Sequence, residues 1–135
     1  MLVIDASVAL SWCFEDEATA ATDALVLRVR GEGAIVPSHW ALEVLNALGV
    51  AERRGRIGRA EATAHVRTIE DLGVDVDEET PRRALRDTLA LARAEKLSLY
   101  DAAYLELAFR RGLTLATLDR TLAKAATRSG VAVVP

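Results

Sequence analysis

Short apolar runs alternate with longer segments whose apolar residues recur at helical spacing, and that alternation sets the fold class. The runs LVI (2–4), AIV (34–36), VDV (74–76), LTLA (113–116) and VAVV (131–134) are rich in β-branched residues and predict strands. Between them lie stretches such as SHWALEVLNALGVAERR, begun by Ser38, in which Trp40, Val44, Ala47, Leu48 and Ala51 form one stripe. The pattern predicts five strands and about seven helices. Gly31, Gly55, Gly73, Gly112 and Gly130 stand just past helical segments, where a left-handed residue ends a helix, and Pro37 and Pro81 stand near helix starts. The polar stretch 75–80 predicts a loop leading into a helix capped by Thr80. Helical crossovers between strands imply an α/β fold with a mostly parallel, twisted sheet covered on both faces, whose ligands bind beyond the carboxyl ends of the strands.

At 135 residues, 51% of them hydrophobic, the chain suits one domain spanning 1–135, since a chain of this size buries roughly two-thirds of its unfolded surface. Asp, Glu or Arg interrupts every apolar stretch well short of the roughly 20 residues that cross a bilayer, so no membrane role is expected. The single cysteine, Cys13, excludes an intrachain disulfide, and MLVIDASVAL opens without a basic segment or cleavage signal; a reducing cytoplasm is the expected location. A net charge of −3 argues against a nucleic-acid coat protein, yet leaves room for an enzyme gripping a short stretch of phosphate backbone. Arginine clusters at Arg53, Arg54, Arg56 and Arg59 and at Arg82, Arg83 and Arg86 suit planar pairing with phosphate or carboxylate, and equally suit helix ends and solvated faces.

Four carboxylates occupy positions where a carboxylate is awkward to keep. Asp5 ends the first strand and opens a helix, where it can cap that helix or face a ligand, and Ser7 lies in the same turn. Glu43 falls on the margin of the apolar stripe of its helix, with Asn46 on the same flank as a half-buried polar pair; an excursion to solvent or an Arg partner would also explain it. In SLYDAAYLELAFRR, Glu106 and Arg110 mark the exposed stripe, so Asp101 projects inward beside Ala102, Tyr104, Leu105, Ala108 and Phe109; a Ser98–Asp101 capping box is the competing explanation. Asp119 ends a later strand and repeats the arrangement at Asp5, with Thr117 in the same turn. Gathered carboxylates repel one another and lose solvation unless protons or a divalent cation neutralise them, and hard oxygen donors suit Mg²⁺ or Mn²⁺. All four placements agree with one site at one sheet edge.

The segments VIDASVAL with Asp5, ALEVLNAL with Glu43, LSLYDAAYLELA with Asp101 and LATLDRTLAKAA with Asp119 resemble the acidic motifs of the PIN-domain nucleases, most strongly the VapC-type toxins. The resemblance covers essentially the whole chain in the right order. It implies a PIN-like three-layer sandwich with a central, mostly parallel five-stranded sheet, and a small Mg²⁺- or Mn²⁺-dependent endoribonuclease held inactive by a cognate antitoxin. By the same resemblance Asp5, Glu43 and Asp101 match the metal-holding acids, Asp119 matches the fourth, and Ser7 and Thr117 match supporting hydroxyls. Hydrolysis by an activated water, leaving 5′-phosphate and 3′-hydroxyl ends, is the expected reaction. Arg53, Arg54 and Arg56 are the candidate RNA contacts. Val50, Ile57, Val66 and Ile69 in the helical pair 38–72 exceed what one small sheet face needs, so a homodimer or an antitoxin groove is expected.

Other chemistries find less support. His39 and His65, with one cysteine, do not make up a zinc set and predict ordinary, partly buried histidines; G-x-S-x-G, Walker and G-x-G-x-x-G motifs are absent. A haloacid-dehalogenase-like phosphatase would need an acid where Ser7 stands. A PIN-fold module that binds antitoxin or RNA without cutting remains the main alternative, disfavoured by the presence of all four acids. The acidic patch Glu15, Asp16 and Glu17 lies close to the expected mouth and suits a solvated helix start.

Overall fold

Five parallel strands form the centre of the computed structural model, which describes residues 1–135. They are β1 (Leu2–Ile4), β2 (Ala34–Pro37), β3 (Asp75–Asp77), β4 (Thr114–Ala116) and β5 (Val133–Val134), in the order β3-β2-β1-β4-β5. β1 is central and wholly buried, pairing Leu2 with Ala34 on one side and Thr114 on the other. Burial on both faces removes the alternation of an exposed sheet, which is why LVI and AIV are continuous apolar runs.

The helices are α1 (Ala6–Ser11), α2 (Ala20–Glu32), α3 (Trp40–Arg53), α4 (Arg59–Glu70), α5 (Thr80–Arg83), α6 (Leu89–Glu95), α7 (Leu99–Arg111) and α8 (Arg120–Arg128). A π-helical segment, Ala84–Thr88, joins α5 to α6 without a break, so the helical rods number seven, as the periodicity predicts. α1 and α4 pack on α3, while α6 and α8 pack on α7, the grouping that right-handed crossovers produce when strand order reverses at β1. The core is a 29-residue apolar cluster between these layers.

α7 is the most deeply placed helix: Ala102 to Ala108 are all buried, and small alanines let it lie close against β1, β2 and β4. Its far end corrects an expectation. Glu106 and Arg110 are not an exposed stripe: Glu106 is only 7% exposed, and the Arg110 guanidinium donates to Glu106, Glu79 and Asp77, each at 2.8 Å. Phe109, expected inside, is 65% exposed. The largely enclosed guanidinium gives the buried Asp77 and Glu106 carboxylates a cationic partner, the condition under which buried ions are tolerated.

Other details also depart from the pattern. Gly31 lies within α2; the positive-φ residue that ends this helix is Gly33, at φ +79°. Ser38 does not cap α3, whose N-cap is His39; its amide donates instead to the Thr80 hydroxyl at 3.2 Å. The segment 75–80 is not all loop, because Asp75–Asp77 is β3, and Thr80 is the first residue of α5 rather than its cap. Ile57 is buried and Val66 and Ile69 pack on the core, so the apolar residues left outside on α3 and β3 are others, Leu42 at 72% exposure, Leu45 and Val76. No helix is long and apolar enough to cross a membrane.

Candidate functional site

Topology gathers the four acids before any side chain is considered. β1 and β4 are parallel neighbours, so Asp5 and Asp119, which follow them, emerge at the same carboxyl edge; the ladder continues through a 3.1 Å bond from the Asp5 amide to the Ala116 carbonyl. α3 leaves β2 at that edge and brings Glu43 one turn in, and α7 must start there to deliver the chain to β4, which brings Asp101 in its first turn. The strand order reverses between β1 and β4, where open α/β sheets form their ligand crevice.

Asp5 is only 4% exposed, and hydroxyls crowd it. Ser7 Oγ donates to one of its oxygens and Thr117 Oγ1 to the other, while the Val8 amide donates at 3.2 Å, so Asp5 also caps α1. Ser7 Oγ in turn accepts from the Leu118 amide at 3.0 Å, and Thr117 Oγ1 from the Asp119 amide at 3.0 Å. These two hydroxyls stitch the turn after β4 to the turn after β1. Burial pushes the Asp5 carboxyl above its ordinary range against these donors, and Asp101 adds to the push.

Asp101 sits at the start of α7, whose N-cap Ser98 accepts from the Asp101 amide at 3.1 Å. Burial raises its pKa first, Asp119 next and Glu43 further, opposed by Ser98 and His39. Asp101 is thus the acid that feels Asp5, Asp119 and Glu43 alike. Asp119 caps α8 by accepting from the Leu122 amide at 2.9 Å, leaving its second oxygen outside that bond.

Glu43 is held differently. The Tyr104 hydroxyl donates to its Oε1 at 2.8 Å, and His39 Nε2 lies 2.9 Å from the same oxygen, close enough for charge contact though not aligned as a full hydrogen bond. Burial alone would raise Glu43, yet these two neighbours together carry it below its ordinary value. Burial and Glu43 push the Tyr104 hydroxyl far upward, so it remains a donor. Neither His39 nor Tyr104 is a candidate from the sequence alone; the i, i+4 spacing of His39 and Glu43 and the i, i+3 spacing of Asp101 and Tyr104 are the signals that point to them. Asn46, expected as half-buried beside Glu43, is exposed instead.

Asp5, Asp101 and Asp119 have no Lys, Arg or His at ion-pair distance, while the remaining arginine-paired acids, such as Asp16, Asp77 and Glu95, are neutralised from within the chain. Three acids at one edge with two raised pKa values and no cationic partner are the donor chemistry a hard divalent cation satisfies. No three Asp, Glu, His or Cys side chains already stand close enough to share one ion.

The arginine turn divides. Arg56 donates from one nitrogen to both oxygens of Asp16, at 2.8 and 3.0 Å, and stacks 3.9 Å over the Phe14 ring. Glu15–Glu17 is the solvated short helix that the sequence suggests, and Asp16, with Glu17 at 4.0 Å, also pairs with Arg56 from it. Arg53 is exposed and forms no ion pair; Arg54 lines a 530 Å³ groove with Ser7, Glu17 and Leu118, which leads from the arginine turn to the acidic edge.

A PIN domain profile matches residues 2–128. Ribonuclease VapC3 of Mycobacterium tuberculosis is 38% identical over 91 residues, which make up 66% of this chain and 62% of that protein. Ribonuclease VapC3 of Pyrobaculum aerophilum is 36% identical over 84 residues, 62% of this chain and 64% of the relative. The chain thus spans a little under two thirds of the length of these curated relatives. Among solved structures, PAE2754 from Pyrobaculum aerophilum superposes with a TM-score of 0.75 at 28% identity, covering 98% of this chain and 90% of that one. FitAcB from Neisseria gonorrhoeae shares the fold, with a TM-score of 0.70 at 16% identity over 100% of this chain and 97% of the other.

Proposed function

Since the chain belongs to the PIN domain family, we propose that its single domain, residues 1–135, is a Mg²⁺- or Mn²⁺-dependent endoribonuclease, the toxin of a toxin–antitoxin pair acting in the cytoplasm. The observation that carries this reading is the convergence of acids from four elements at one carboxyl edge, Asp5 buried, Glu43 and Asp101 half-buried and Asp119 exposed, the three aspartates having no cationic partner. The names of the VapC3 relatives support the reaction class.

Asp5, Glu43, Asp101 and Asp119 would hold the cation, which when bound supplies charge compensation to the scissile phosphate and lowers the pKa of water. The chain's own residues supply the rest. Ser7 and Thr117 fix both oxygens of Asp5 and keep the two strand-end turns together. Arg54 and Arg56 line the groove toward Ser7 and Arg53 stands exposed at the same turn, so all three are the proposed phosphate contacts, Arg56 by exchanging its exposed pairing with Asp16 for phosphate. Arg54→Ala is therefore expected to weaken RNA binding and reduce its salt slope by about one unit, with little change in kcat at saturating RNA. Equal affinity and slope would remove Arg54 from the RNA path.

The partners proposed are RNA, a cognate antitoxin and a second copy of the chain. The exposed Leu42, Leu45 and Val76 supply apolar surface for association, Leu45 and Val76 lining a 280 Å³ groove with Val66 and Ile69. Co-expression with the neighbouring gene, followed by light scattering, reads this directly: a monomer that captures no antitoxin contradicts it. Chelation tests the activity. EDTA is expected to abolish RNA cleavage and added Mg²⁺ or Mn²⁺ to restore it, whereas cutting that persists in chelator overturns the metal-dependent reading.

A further inference from the structure

The contacts around Glu43 form a device of their own. Oε1 takes both neighbours, the Tyr104 hydroxyl from α7 at 2.8 Å and His39 Nε2 from the N-cap of α3 at 2.9 Å. His39 Nε2 is buried and has no other partner. The His39 ring is itself held edge-on by Tyr104, with centroids 5.1 Å apart, and lies 5.5 Å from the Tyr100 ring. Tyr104 follows Asp101 by three residues on α7, so the residue that grips Glu43 shares a helix face with another of the gathered acids.

A glutamate has three side-chain torsions, and ordering them costs entropy whenever a ligand must do it. Here one Glu43 oxygen accepts from Tyr104 on α7 and lies 2.9 Å from His39 at the start of α3, while Oε2 takes no hydrogen bond. We propose that Tyr104 and His39 are positioning residues that present Glu43 to the cation through Oε2 and set the separation between α3 and Asp101. This rests on the metal-dependent reading above. Partners that orient a ligating carboxylate are typically worth about 10–100-fold in metal affinity or activity.

Mn²⁺ binding to the RNA-free protein, measured by calorimetry, tests it. Tyr104→Phe, which deletes only the donating hydroxyl, is expected to weaken Mn²⁺ by about 10-fold or more, and to lower kcat with KM for RNA little changed. His39→Leu should weaken Mn²⁺ as well, and His39→Gln, which restores a donor at similar reach, should recover most of the loss. If Tyr104→Phe fails to fold, the two His39 variants decide alone. Wild-type protein that binds no Mn²⁺ overturns the metal reading itself. Wild-type protein that binds it, with Tyr104→Phe and His39→Leu within twofold, overturns only the positioning roles.

Discussion

Asp101→Asn is expected to reduce RNA cleavage by roughly a thousandfold while leaving the metal-free protein at least as stable as wild type. A thousandfold is about 4 kcal/mol of transition-state stabilisation, the scale lost when a charged group that holds a catalytic cation is neutralised. Stability should survive because Ser98 caps α7 by accepting from the Asp101 amide, which asparagine keeps. The carboxylate itself is raised by burial and by Asp119, so removing its charge relieves repulsion. Turnover measured beside thermal melting separates these effects. A mutant with near-wild-type turnover, or one that melts well below wild type, would return Asp101 to a structural role.

The second large effect is a dependence of metal-free stability on pH that a cation removes. Asp5 and Asp101 are both raised, so the folded state binds their protons more tightly than the unfolded chain does. Their contribution is therefore most favourable at low pH and is lost as pH rises from the ordinary aspartate value of 3.8 through their higher folded values. Glu43, lowered by Tyr104 and His39, acts in the opposite sense and loses its contribution as pH falls through its depressed value. Mn²⁺ at about 100 times its Kd should add about 2.7 kcal/mol at neutral pH. Denaturant unfolding at pH 5 and pH 7.5, with and without Mn²⁺, measures this. Equal stabilisation of wild type and Asp101→Asn by Mn²⁺ would place the ion elsewhere.

Much of this was legible in the chain because it follows from short-range pattern. Five apolar runs separated by helices lead to the parallel sheet, and an acid directly after β1 and another just after β4 lead to one carboxyl edge. Ser7 and Thr117 were visible for the same reason, each lying two residues from a strand-end acid. What the pattern missed depends on groups far apart in sequence. Glu106 and Arg110 look like a solvent stripe until Asp77 and Glu79 arrive from β3 and the start of α5 to pair the guanidinium. Arg56 reads only as one of an arginine run until Asp16 and Phe14 arrive beside it. Tyr104 looks like ordinary core until α3 places Glu43 against its hydroxyl. Periodicity reports which face of a helix is buried, but not what that face meets.

The reaction's products test the central claim most directly, because acid-held metal chemistry and side-chain chemistry leave different ends on RNA. A purified chain incubated with RNA and Mg²⁺ should yield fragments with 5′-phosphate and 3′-hydroxyl termini, and none in EDTA, since water attacks phosphorus and the 3′-oxygen is the leaving group. Mass spectrometry of the fragments reads both ends at once. Fragments ending in a 2′,3′-cyclic phosphate would mean that the RNA's own 2′-hydroxyl is the nucleophile, and either that outcome or cleavage that survives chelation would mean that Asp5, Glu43, Asp101 and Asp119 are not the centre of a metal-dependent hydrolysis.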